Sequence, residues 1–125
     1  MEHRRRLAQR GERLAAWSLR LRGYRILARN LRTPVAEVDL LARKRDTLIV
    51  IEVKSRRGRW EGTIGFSQQQ RLARAALWLL PHYGRGQQGI RIDMITVRFG
   101  VRPLRWPRLR HYEGVIAADI LGPWY

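Results

Sequence analysis

The chain has 125 residues, no cysteine and a formal net charge of +16. That length predicts one domain spanning 1–125, and the absence of cysteine excludes disulfides and thiolate-bound zinc, as suits a cytoplasmic protein. No apolar run approaches the roughly 20 residues of a membrane span, and the opening MEHRRRLAQR lacks the apolar core of a signal peptide.

Such an excess of positive charge predicts a polyanionic partner. Nucleic acid is expected before an anionic membrane, because no basic helix here carries a strong aromatic or leucine face. A GC-rich coding bias would explain arginine in place of lysine, but not the shortage of acids. Of the 26 cations only Lys44 and Lys54 are lysine. A lysine two residues after a glutamate, in a chain that otherwise writes arginine, suggests a position where a compact ammonium is required.

Taken in order, the chain predicts a helix from about Arg4 to Arg22, with Leu7, Gly11, Leu14, Ala15, Ser18 and Leu21 on one face and Gly23 as its stop. Glu12 falls on the shoulder of that face among alanines, with no arginine three or four residues away to pair with it. The small neighbours would let the helix lie close to a sheet; an ordinary surface glutamate is the alternative. Tyr24–Leu31 alternates as a first strand, and Arg32-Thr33-Pro34 reads as a turn.

The stretch Val35–Lys54, VAEVDLLARKRDTLIVIEVK, predicts two strands joined at Lys44-Arg45-Asp46. Strand alternation puts Glu37 and Asp39 on one face with Val35 and Leu41, and Glu52 and Lys54 on one face with Leu48 and Val50. Carboxylates on an apolar face are costly unless paired, hydrogen-bonded or metal-bound.

A glycine-punctuated loop, SRRGRWEGTIGF, follows. Its Arg56, Arg57 and Arg59 suit a nucleic-acid backbone, and Trp60 either stacks on a base or folds onto the core. Ser67–Leu80 predicts a second helix, with a Ser67/Gln70 capping box and Pro81 closing it. Leu72, Ala75, Ala76, Leu79 and Leu80 form its buried side, and Arg71 and Arg74 face outward. Its first turn holds Gln68, Gln69 and Gln70 where free N–H groups favour phosphate. After the loop 82–89, Ile90–Val97 predicts a strand on which Arg91 and Asp93 support the fold. The basic tail from about 98 to 125 contains a last strand near Leu109–Tyr112. His3, His82 and His111 show no metal-ligand spacing, and no phosphate-cradling loop of the Gly-Lys-Ser/Thr kind is present.

Together Glu12, Asp39, Glu52 and Lys54 predict a site for Mg²⁺ or Mn²⁺, held by Asp39 and Glu52, with Glu12 as an outer ligand and the Val53 carbonyl as a further one. The metal would polarise a phosphate and acidify a water, with Lys54 orienting that water or meeting developing charge. Inter-strand ion pairs, Glu52 with Arg43 for example, are the structural alternative.

The blocks GERLAAWSLRLRGYRILARNLR, AEVDLLARKRDTLIVIEVKSR, QQRLARAALWLL and RIDMITV resemble, over residues 11–97, the bacterial YraN family of small proteins with a restriction-endonuclease-like fold, similar to archaeal Holliday junction resolvases. The resemblance implies an α/β core with a mixed sheet of about five strands flanked by helices. It also implies a metal site at Glu12, Asp39, Glu52 and Lys54, with Glu37 as an accessory acid. Two positions depart from the family pattern. Ala36 stands where glycine is usual, and Gln68 lies where a lysine commonly opens the second helix, which implies weaker binding or cutting.

The reading is a metal-dependent endonuclease acting on DNA, favoured over RNA, with branched repair intermediates as candidate substrates. The alternative is a non-catalytic DNA- or RNA-binding module with a vestigial site. Because related resolvases act as dimers, a homodimer is a partner to test.

Overall fold

The computed structural model describes residues 2–58, 64–83, 89–100 and 106–116. The order is α1 (Glu2–Leu21), β1 (Arg25–Arg32), β2 (Glu37–Lys44), β3 (Thr47–Arg57), α2 (Phe66–Tyr83), β4 (Gly89–Phe99) and β5 (Arg108–Tyr112). They build one sheet in the order β1-β2-β3-β4-β5. Strands β1, β2 and β3 form an antiparallel meander, β3 and β4 are parallel, and β5 returns antiparallel. A parallel step needs a crossover, and α2 is the helix within it.

Strand β3 is central because its sequence tolerates no solvent face. Leu48 through Val53 are all buried, the near-continuous pattern of a strand covered on both sides. Ile49, Ile51 and Val53 pack with Leu40, Ala42, Ile95, Val97 and the α1 residues Ala15, Ala16 and Leu19. Leu48 and Val50 pack the other way, with Leu41, Ile90, Ile92 and the α2 residues Leu72, Ala75, Ala76 and Leu79. The hairpin turn is Arg45-Asp46, with Arg45 in the left-handed region at φ 53°.

Several sequence expectations shift. Strand β3 continues past Lys54 to Arg57, so the expected loop begins later. On α1 the buried line runs through Gly11, Glu12, Ala15, Ala16 and Leu19, while Leu21 is 76% exposed; Glu12 is thus within the buried face rather than on its shoulder. Helix α2 begins at Phe66, which puts Ser67 inside the first turn and removes it from the cap position. There Gln69 donates to the Ile64 carbonyl through Nε2 (2.8 Å), and its backbone N–H bonds the Gly65 carbonyl (2.9 Å). The helix also runs through Pro81 to Tyr83, since a proline in the last turn gives up only one backbone bond. Ala73 joins its buried side and Leu80 is only partly covered. Arg59 and Trp60 lie outside the described residues, as do 84–88 of the loop and 101–105 and 117–125 of the tail.

Gly11 sets how closely α1 approaches the sheet. A Cβ there would overlap the Ser55 hydroxyl and lie 3.0 Å from Ser55 Cβ. Gly11→Ala is expected to cost about 1–2 kcal/mol net, the overpacking penalty less the helix propensity gained. Urea unfolding measures it, and Gly11→Ala with Ser55→Gly should recover most of the loss; equal stability of Gly11→Ala and wild type would refute the close-approach role.

Candidate metal centre

The central hairpin opens at one end. The β2–β3 ladder ends at Leu40↔Ile51, whereas Val38 and Glu37 remain paired with Leu31 and Arg32 of β1. In the opening, the Val53 N–H donates to Asp39 Oδ2 at 2.8 Å, so a side chain replaces the ladder bond. A strand residue directs N–H and C=O to the same edge, so the Val53 carbonyl faces this opening too.

Asp39 and Glu52 meet here because both share the parity of the α2-facing residues, Leu41 on β2 and Leu48 and Val50 on β3. With Ala36, Glu37, Gln68, Arg71 and Leu72 they line a cleft of about 200 Å³. Glu52 is buried, and its Oε1 accepts from Gln68 Nε2 at 2.8 Å and lies 3.2 Å from Lys54 Nζ. Lys54 Nζ also donates to Gln68 Oε1 at 3.4 Å. The cationic partner of Glu52 is therefore Lys54; Arg43 pairs opposite Leu48, nearer the closed end of the hairpin.

Glu12 comes from α1, on the opposite face of the sheet. Burial raises its pKa, Asn30 and Arg29 oppose that rise through a hydrogen bond and a nearby charge, and the Glu37 and Glu52 charges reinforce it. Asp39 is pushed up to about 8, first by burial and then by the Glu52 charge, with the Val53 N–H pulling the other way. The opening therefore holds more carboxylate than nearby cation.

A divalent cation would offset that excess of negative charge. Asp39, Glu52 and the Val53 carbonyl form a hard oxygen set suited to Mg²⁺ or Mn²⁺, ions that need only one or two protein carboxylates. Among the described residues no three His, Cys, Asp or Glu side chains are grouped tightly enough to hold a metal between them. The arrangement is a two-carboxylate centre with Glu12 and Glu37 as nearby charges.

Arg71 borders the cleft, Arg74 is exposed one turn further along α2, and Arg56 and Arg57 are exposed at the end of β3. Sequence reasoning missed Arg29 and Asn30. Asn30 occupies the left-handed region at φ 49°, which asparagine tolerates better than most residues, and its side chain bonds Glu12. The local pattern YRILARNL reads only as alternation and gives no sign that Asn30 meets a helix carboxylate.

A five-stranded mixed sheet between two helices, with an acid pair at the open end of its central hairpin and a lysine two residues on, defines a small α/β protein with a restriction-endonuclease-like core. Residues 11–97 match the uncharacterised protein family UPF0102, to which the chain belongs, in agreement with the YraN resemblance. A UPF0102 protein of Chelativorans sp. (strain BNC1) is 41% identical over 116 residues, 90% of this chain and 89% of its own. A UPF0102 protein from Mesorhizobium japonicum is 44% identical over 105 residues, covering 82% and 81%, and one from Syntrophotalea carbinolica is 42% identical over 113 residues, covering 87% and 89%. Among the described residues no helix is long and apolar enough to cross a membrane.

Proposed function

We propose that this protein is a divalent-metal-dependent endonuclease that binds DNA and hydrolyses its phosphodiesters, with Mg²⁺ or Mn²⁺ at Asp39 and Glu52. The observation that carries this reading is the Asp39–Glu52 pair, Glu52 buried and Asp39 half-buried, short of positive charge in a chain of net charge +16. Scattered arginines alone would bind any polyanion. Two carboxylates lining a cleft, with a lysine beside one of them, are a costly arrangement for a protein that only binds.

When bound, the metal supplies positive charge to the scissile phosphate and acidifies a water. Asp39 and Glu52 would hold it, and Val53 N–H keeps Asp39 turned into the opening. The Lys54 ammonium donates to an oxygen of the reacting phosphate or orients the attacking water. Gln68 holds Glu52 and Lys54 in register by bonding both. Arg71 and Arg74 on α2, and Arg56 and Arg57 at the end of β3, meet the strand on either side of the cleft.

A non-catalytic DNA- or RNA-binding module is the second reading, favoured by one contact. Gln68 already occupies Glu52 Oε1, so the pair is partly satisfied without a metal. The test is cleavage of four-way-junction, tailed and duplex DNA, and of structured RNA, with Mn²⁺. Wild type is compared with Glu52→Gln at matched binding. Cleavage of DNA by wild type, lost in the variant with binding retained, is expected. Equal residual cleavage, or none on any substrate, favours the binding module.

A further inference from the structure

A second cleft lies at the closed end of the same hairpin, on the face that carries α1. Lys44 and Thr47 are each five residues from the acid pair, roughly 17 Å along a strand. They share the parity of Ala42 and Ile49, which pack toward α1. The cleft has a volume of about 320 Å³ and is lined by Tyr24, Lys44, Arg45, Thr47, Arg91 and Glu113.

Its charges are organised around Tyr24. The Lys44 ammonium is 4.5 Å from the ring centroid and the Arg22 guanidinium 5.6 Å. The Tyr24 hydroxyl accepts from Arg91 Nη2 at 3.1 Å. Arg91 is fixed from behind, where Nε and Nη2 grip Asp93 at 2.8 and 2.9 Å. Asp93 is fully buried and also accepts from the Gly114 N–H (3.0 Å) and contacts His111 Nε2 (2.7 Å). Its charge is used inward, leaving the mouth to Lys44, Arg45 and the outer edge of Arg91.

One carboxylate sits at that mouth, and loosely. Glu113 is more than half exposed; its Oε1 accepts a hydrogen bond from the Tyr24 hydroxyl at 3.3 Å and lies 3.5 Å from Arg91 Nη2. Charge-assisted bonds normally close to about 2.7–2.9 Å. An exposed acid at such distances is readily displaced by a group with more charge and more acceptor oxygens. Lys44 adds a second indication. Of the chain's two lysines, Lys54 serves the acid pair and Lys44 lines this cleft.

We propose that this cleft is a second, metal-independent phosphate-binding site, where Lys44, Arg45, Arg91 and the Tyr24 hydroxyl take a phosphate group that displaces the Glu113 carboxylate. The donors are a fixed guanidinium edge, a hydroxyl and a compact ammonium, a set matched to tetrahedral oxygens. The volume admits a phosphate with an attached sugar. The site stands independently of catalysis at Asp39 and Glu52.

Amide NMR of the full chain at physiological ionic strength tests this. The probes are inorganic phosphate, a tetranucleotide with a 5′-phosphate, and the same tetranucleotide with a 5′-hydroxyl. Phosphate should produce saturable shifts at Tyr24, Lys44–Thr47 and Gly114. Glu113→Gln should tighten the apparent Kd severalfold, and Lys44→Gln should weaken it by about fivefold or more. Arg45→Gln, in the exposed turn, provides a second weakening variant if Lys44→Gln perturbs Tyr24. Arg108→Gln removes the same charge at a distance, and Glu52→Gln alters the other cleft; both should titrate as wild type. Equal binding of the two tetranucleotides assigns the site to a backbone diester, and binding of the phosphorylated one alone assigns it to a terminal monoester. Shifts that do not saturate, or titrations unchanged in Glu113→Gln, Lys44→Gln and Arg45→Gln, overturn the proposal.

Discussion

Without divalent cations, Asp39→Asn is expected to be more stable than wild type at pH 8 by on the order of 1–3 kcal/mol, and so to melt higher. The Asp39 pKa is raised to about 8 in the folded protein, by burial and then by the Glu52 charge. A raised carboxyl pKa means that the native state holds a proton the unfolded state has released. Between the ordinary carboxylate range and about pH 8, stability therefore falls as pH rises. Asparagine keeps an oxygen for the Val53 N–H and supplies a permanent N–H where the proton was. It matches the protonated acid and removes the charge that burial penalises. Melting curves at pH 5 and pH 8 check the sign: the variant should gain at pH 8 and gain little at pH 5. Adding Mn²⁺ should raise the wild-type midpoint and leave Asp39→Asn almost unmoved, since a ligand stabilises only the form that binds it. A variant that loses stability at pH 8 would show that Asp39 is held ionised by partners in the fold.

Asp93→Ala is expected to lose about 3–5 kcal/mol, because it strands Arg91 and His111 beside an empty anion position. Native domains are stable by only about 5–15 kcal/mol, so much of the chain would unfold at growth temperature. Burial opposes ionisation of Asp93, but the bonds from His111, Arg91 and Gly114 outweigh it and hold its pKa below the ordinary value. The sign is opposite to that at Asp39. A depressed pKa contributes stability above the ordinary carboxylate range, and that contribution is lost as pH falls through the folded value. Asp93→Asn, which keeps the shape, should lose less than alanine and should flatten the acid limb of the stability profile. Urea unfolding from pH 3 to pH 7 measures both. A loss under 1 kcal/mol in Asp93→Ala would show that Arg91 and His111 find water without cost.

The acid pair was legible in the sequence because charges interrupt strands that are otherwise apolar. Glu37, Asp39, Glu52 and Lys54 declare themselves by alternation alone; the strand parity carries the three acids to one cleft and Lys54 to the side of Glu52. Arg91 and Asp93 were legible in the same way, as a structural pair. Other features depend on distance in space. His111 shows no spacing to any acid, and only the β4–β5 register, Ile95↔His111, brings it to Asp93. Gln68 was marked by its place at the start of the second helix, but its bond to Glu52 became visible only when the crossover placed the first turn of α2 over that residue. On α1, Leu19 and Leu21 are equally apolar, and docking of Gly11 against Ser55 selects Leu19 for the core.

The open end of the hairpin gives the protein an internal reporter. The Val53 N–H is held by the Asp39 carboxylate in place of the neighbouring strand, so its hydrogen-exchange rate tracks the position of one side chain. Exchange at Ile51, paired with Leu40 within the ladder, reports the opening of the sheet itself. The ratio of the two rates separates rearrangement of the acid pair from loosening of the fold, in a single spectrum and without a substrate.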